Sequence, residues 1–158
     1  TAGIGFDAYI SYLFNKRKNR GIFSYIYIIL KELFRYRSQR IEIEIEGMTY
    51  WRQAFIVSVA NINQYGYNFY IAPRAKYDDG LIDLVVIESL KWYDIPGILY
   101  MTLTRRLDKS SKVMYRQTKN LKILMKENGY IQYDGEGKML DVKCLNFSLS
   151  SNKLKIFR

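Results

Sequence analysis

Between residues 41 and 46 isoleucine and glutamate alternate without a break: Ile41, Ile43 and Ile45 against Glu42, Glu44 and Glu46. A period of two sends successive side chains to opposite faces, so this segment predicts a half-buried β-strand with one wet face. Gly47-Met48 turns the chain into a second strand, residues 51–60, apolar enough to lie centrally. Upstream, residues 22–34 carry a helical period. Ile22, Tyr25, Ile26, Ile29 and Leu33 fall on one face and Ser24, Lys31 and Arg35 on the other. Before that helix, Ala2-Gly3-Ile4-Gly5-Phe6-Asp7-Ala8 reads as the end of a strand or a turn rich in small residues, followed by a basic loop.

Residues 61–80 read as a loop punctuated by Tyr65-Gly66, Pro73 and Asp78-Asp79-Gly80, and residues 82–87 as another strand. Asp94 can cap a helix whose first turn tolerates Pro96, with Ile95, Ile98, Leu99, Thr102 and Leu103 on its buried face. Short strands follow at 112–117, 121–126, 130–133, 142–149 and 154–157, with Asn128-Gly129 as a hairpin signal between two of them. Many short strands with two helices predict a mainly β, α+β chain: a two-layer β-sandwich with helices at its edge. With 158 residues, two prolines and no low-complexity stretch, residues 1–158 read as a single domain.

Composition narrows the chemistry. A single cysteine, Cys144, allows no internal disulfide and is most simply a packing residue in a strand. With no histidine, zinc sites of the Cys/His type and Ser-His or Cys-His nucleophile systems are excluded. Proton transfer would have to use a carboxylate, Lys, Tyr or Cys. No apolar run approaches the roughly 18 residues of a membrane-spanning helix. The chain opens at Thr1 with no basic-then-apolar leader and no Met, which leads us to expect a fragment or a processed chain without a signal peptide.

The formal charge of +10 gathers in Lys16, Arg17, Lys18 and Arg20, in Arg35, Arg37 and Arg40, and in Arg105, Arg106 and Lys109. These groups form either one positive face that attracts anionic lipid or nucleic acid, or three separate solvated patches. The 15 tyrosines could stack on bases, but their scatter favours core and cross-strand packing. Two acidic turns remain. Asp134-Gly135-Glu136 could accept a proton or help hold a metal, and an ordinary tight turn accounts for the tripeptide as well. Asp78-Asp79-Gly80-Leu81-Ile82-Asp83 could offer oxygen ligands to a hard cation, or be a solvated loop leading into a strand; its spacing is not that of an EF-hand.

Taken together, three segments in order carry a resemblance: residues 2–8, residues 68–83 and Asp134-Gly135-Glu136. The sequence resembles the second domain of the bacterial diacylglycerol kinase and lipid kinase family, which is related to sphingosine kinases. The resemblance implies a β-sandwich domain packed against an N-terminal nucleotide-binding domain that this chain lacks, with the active site between them. It implies that Asp134 is the general base for a lipid hydroxyl and that Glu136 helps organise the nucleotide's metal and phosphates. It further implies that Asp79, with the backbone carbonyls of Lys76 and Leu81, holds a structural Mg2+. ATP would be the phosphoryl donor, bound mainly by the absent domain.

The partners implied are a lipid substrate, a membrane surface, the chain's own N-terminal domain and a second copy in a homodimer, with no specific nucleic acid. The expected location is cytoplasmic, peripheral at the membrane. The sequence departs from the family pattern twice. It has no adjacent glycine pair, hence no Gly-Gly-Asp-Gly-Thr nucleotide loop, and is expected to be inactive alone; and Gly66-Tyr67-Asn68 stands where relatives often carry a glycine run. The competing reading is a non-enzymatic basic β-domain that binds nucleic acid or anionic surfaces.

Overall fold

The computed structural model describes residues 1–17, 21–63 and 69–149. Lys18, Arg20, the Gly66-Tyr67-Asn68 segment and the strand expected at 154–157 lie outside the described residues. The chain runs β1 (Ala2–Gly5), α1 (Phe6–Asn15), α2 (Ile22–Leu33), β2 (Gln39–Ile45), β3 (Met48–Ala60), β4 (Ile82–Glu88) and α3 (Ile95–Leu103). A single 3₁₀ turn precedes β5 (Val113–Thr118), β6 (Asn120–Met125), β7 (Gly129–Tyr133), β8 (Glu136–Leu140) and β9 (Cys144–Ser148).

The strands form one curled antiparallel sheet that behaves as a sandwich, because β3 belongs to both halves. Its first half pairs with β2, which leads on to β6 and β9. Its second half pairs with β1 and β4, which lead to β7–β8 and to β5. The register shifts between Ala54 and Ile56, a β-bulge that lets one strand change direction. The two halves close on a core made of Ile41, Ile43 and Ile45 from β2 and Leu121, Ile123 and Met125 from β6. Val57, Val59, Leu84 and Val86 face them from β3 and β4. The isoleucine–glutamate alternation thus delivers its isoleucines to the interior as its period requires.

β4 is buried on both faces. Leu84 and Val86 enter the sandwich core, while Val85 and Ile87 meet Ile71, Ala72, Ala75 and Leu107 on the other side. Beside this second cluster, α1 and α2 cover Phe55 with Phe6, Ile10 and Ile28. The contact of α1 with the sheet is close: a Cβ on Gly137 would fall 2.1 Å from the Tyr12 amide nitrogen.

Several expectations need correction. Residues 6–15 form a helix rather than a turn and loop; Phe6, Tyr9, Ile10, Leu13 and Phe14 do keep a helical period, but the cap residue is Gly5, which offers no side-chain signal. In α2 the inward residues are Tyr25, Ile28, Ile29 and Leu33, whereas Ile22 and Ile26 are exposed. In α3, Leu99 and Leu103 are exposed, and Asp94 accepts a hydrogen bond from the Lys91 amide instead of capping the helix with its side chain. Asn128-Gly129 does not close a hairpin: β6 pairs with β2 and β9 while β7 pairs with β1 and β8, so the chain crosses between halves there. The hairpin is at Asp134-Gly135, leading into β8, a strand the sequence did not announce. Cys144 is exposed, not packed.

Candidate functional site

Sheet register brings the two acidic turns to one rim. Tyr133 of β7 pairs with Ala2 of β1, Ala2 with Val59 of β3, and Val59 with Leu84 of β4. One residue further out stand Asp134, Thr1, Ala60 and Asp83. The row is tied by the Asp134 amide donating to the Thr1 carbonyl (3.1 Å) and by the Ala60–Asp83 pair. Three strand spacings separate Asp134 from Asp83, about 14 Å along the sheet.

The β7–β8 turn is a tight two-residue hairpin. Asp134 and Gly135 both take positive φ, 46° and 88°, the backbone that such a turn requires and that Asp and Gly tolerate best. Gln132, fully buried in β7, braces it: its Oε1 accepts from the Gly135 amide (2.8 Å) and its Nε2 donates to Asp7 Oδ2 (3.5 Å). The Asp134 carboxylate is thereby held out from the rim, with 82% of its side chain exposed. It accepts from the terminal ammonium of Thr1 (2.7 Å) and from Thr1 Oγ1 (3.2 Å), and that hydrogen-bonded ammonium holds the carboxyl below its ordinary range. A peptide bond at that nitrogen would leave a donor but remove the positive charge. Glu136, the first residue of β8, is exposed on the other side of Gly135.

The second turn is built differently. Asp79 Oδ1 accepts from the Leu81 amide (2.9 Å) across Gly80, whose φ is 72°. Lys76 and Asp79, two of the three residues expected to hold a cation, are exposed, and Leu81, the third, is half-buried. Carboxylate and carbonyl oxygens suit a hard cation such as Mg2+. Among the described residues no three acidic or cysteine side chains converge as a metal site, so a cation here would depend on backbone oxygens and water.

Behind the loop lies an anchor that sequence reasoning passed over. Tyr115 of β5 donates to Asp83 Oδ1 at 2.5 Å, and the Arg74 amide donates to the Tyr115 hydroxyl oxygen (3.2 Å). The Arg74 guanidinium sits 5.3 Å from the centre of the Tyr115 ring and pairs with Asp108 at 2.6 Å. Burial pushes the Asp83 carboxyl up; burial and the Asp83 carboxylate push the Tyr115 phenol up as well. The signal available in the sequence was a lone carboxylate opening an otherwise apolar strand, since such a group demands a donor. A separate groove of about 570 Å³ is lined by Glu46, Thr49, Lys122 and Phe147, with no residue of either turn on its walls.

The fold is a curled β-sandwich with helices packed on it and two Asp-Gly turns on one rim. The chain belongs to the family described as the YegS C-terminal NAD kinase beta sandwich-like domain, whose profile matches residues 1–158. No curated protein matches it. Among solved structures it is similar to a diacylglycerol kinase from Bacillus anthracis str. Sterne, at 17% identity and a TM-score of 0.54 over 90% of this chain and 43% of that one. Two further Bacillus anthracis str. Sterne structures, provisionally described as diacylglycerol kinases, align over 93% of this chain. Their identities are 21% and 18% and their TM-scores 0.64 and 0.60, covering 50% and 49% of those chains. The chain thus spans about half the length of the solved structures it matches. At these identities the likeness establishes the fold.

Proposed function

We propose that this domain is the acceptor-side half of an ATP-dependent kinase that phosphorylates the hydroxyl of diacylglycerol or a similar lipid. The observation that carries the reading is the rim: an exposed carboxylate on a braced hairpin and a cation-suited loop open on the same end of one sheet. The family match over the whole chain and the likeness to structures described as diacylglycerol kinases support it. A partner domain carrying the nucleotide would close over that rim.

In this reading the ionised Asp134 takes the proton of the lipid hydroxyl. The freed oxygen forms its bond to the γ-phosphorus of ATP as the bond to the departing nucleoside diphosphate breaks. Such transfers depend on positioning and charge neutralisation more than on covalent chemistry, so the missing histidine is no obstacle. Glu136, one residue beyond Gly135, would help organise the nucleotide's metal and phosphates. Asp79 with the carbonyls of Lys76 and Leu81 would hold a Mg2+ that stiffens the second turn. Since the acceptor resides in a bilayer, the protein works at the cytoplasmic membrane surface. The basic groups also suit nucleic acid, but the two turns have no part in that reading.

The test is phosphate transfer from ATP to diacylglycerol by the complete protein and by Asp134→Asn. Activity is expected to fall about 10²–10⁴-fold in the variant, the usual worth of a general base, with the melting temperature unchanged. Full activity in a folded Asp134→Asn protein removes Asp134 from the mechanism. Strong, salt-sensitive RNA or DNA binding without any kinase activity favours the rival reading.

A further inference from the structure

The outer face of α2 is apolar and uncovered. Ile22, Phe23, Ile26, Tyr27, Leu30 and Phe34 recur at helical spacing and all are exposed, Phe23 to 85% and Phe34 to 74%. The opposite face is already used: Ile28 is buried, with Tyr25, Ile29 and Leu33 packed beside it against α1 and β3. A helix that is apolar on two sides needs two partners, and this fold supplies one.

Among the described residues of α2 and its flanks, the exposed charges are cationic. Arg17 lies over the Tyr27 ring, 5.5 Å from its centre, and donates to Ser24 Oγ at 3.4 Å. Lys31, Arg35 and Arg37 are exposed beside the apolar stripe. Glu32, the helix's only acid, has just 12% of its side chain exposed, accepts from the Tyr9 hydroxyl and pairs with Arg35. The outward surface thus combines exposed aromatic and aliphatic side chains with cations and no free carboxylate of the helix. A second copy brought against it would oppose like charges on a chain already at +10.

We propose that this face of α2 docks on an anionic lipid bilayer. Phe23, Leu30 and Phe34 enter the boundary between headgroups and acyl chains, while Arg17, Lys31 and Arg35 meet headgroup phosphates. The inference deepens the lipid-kinase reading by naming how the domain reaches its acceptor's surface, and it rests on that reading for its purpose only. Docking requires no catalysis, so its test is separate.

The experiment is co-sedimentation of the complete protein, without ATP, with phosphatidylglycerol-rich vesicles and with pure phosphatidylcholine vesicles. Binding is expected to the anionic vesicles, weakened by salt and nearly absent on the neutral ones. Phe23→Ser with Leu30→Ser should weaken it by about tenfold or more, the worth of one or two apolar side chains leaving a nonpolar medium. Lys31→Gln with Arg35→Gln should weaken it and flatten the salt dependence. Both positions changed to serine are solvent-exposed, and unfolding midpoints of the variants check that α2 persists. Phe23→Trp gives a reading that removes no apolar surface: its added fluorescence should be quenched by brominated acyl chains.

Vesicle binding unchanged by the serine changes, or no added quenching at Phe23→Trp, overturns the proposal. So does a concentration-dependent dimer that the same changes dissolve, or failure to bind anionic vesicles at all. Phosphorylation of a detergent-dispersed diacylglycerol should survive the serine changes. Lost docking with retained kinase activity therefore separates this inference from the reading it builds on.

Discussion

At the β7–β8 hairpin the Asp134 carboxylate stands in solvent, while behind the 76–81 turn the Asp83 carboxylate is buried beneath Tyr115. Both turns are Asp-Gly and both use a glycine at positive φ, yet their energetics are opposed. Around Asp134 the structure fixes the backbone and keeps the carboxylate in solvent: Gln132 holds the Gly135 amide, and the carboxylate accepts hydrogen bonds from Thr1. Around Asp83 one carboxylate oxygen is tied into a chain running through Tyr115 to Arg74, with Asp108 holding the guanidinium, while the other is buried with no hydrogen-bond partner among the described residues. An exposed acid and an acid buried beneath a donor are told apart by what surrounds them, not by the dipeptide.

The widest separation is expected between Asp134→Asn and Tyr115→Phe. The first should abolish most activity and leave stability alone, since an exposed side chain away from packing shifts folding by less than about 0.5 kcal/mol. The second should do the reverse. Losing the phenol hydroxyl strips a buried carboxylate of its donor, which costs about 1–3 kcal/mol, read as a lowered midpoint in urea. Equal stability losses in both variants would erase the distinction between the turns.

Next come the glycines. Gly80 and Gly135 each sit at positive φ with no atom within 4 Å of an added Cβ, so Gly→Ala at either meets open space and strains only the backbone. About 1–2 kcal/mol is expected at each site. Activity should suffer more from Gly135→Ala, because that turn directly aims Asp134, and the ratio of the two kinase rates measures the difference.

Much of this was legible in advance. The Ile–Glu alternation in β2 and the apolar run of β4 announce strands because their periods leave little choice, and the order of the acidic segments marks the family. What stayed hidden depended on partners distant in sequence. The exposure of Ile22 and Ile26 could not be read from α2 itself, since a helix apolar on two sides does not say which of them packs inward. Residues 6–15 lacked a polar cap, and Gly5 takes that place because a side chain would run into the Phe55 carbonyl, with 2.5 Å between Cβ and oxygen. For the site, both turns were visible, but their shared rim follows from β1 lying between β7 and β3, a long-range pairing no local pattern encodes. Gln132 and Tyr115 escaped for the same reason.

The smallest effect is a slope with pH, and it belongs to the buried acid. Burial raises the Asp83 carboxyl above its ordinary 3.8, the hydrogen bond from Tyr115 only partly opposing this. Between 3.8 and the raised value the folded chain retains a proton the unfolded chain has released, so Asp83 makes stability fall as pH rises through that window. Urea unfolding from about pH 3 to about pH 7, a range spanning the carboxylates, should therefore show Asp83→Asn gaining on the parent protein as pH rises. If Asp83→Asn runs parallel to the parent across the range, the Asp83 carboxyl is not held above its ordinary value, and the contrast between buried and exposed carboxylates loses its electrostatic half.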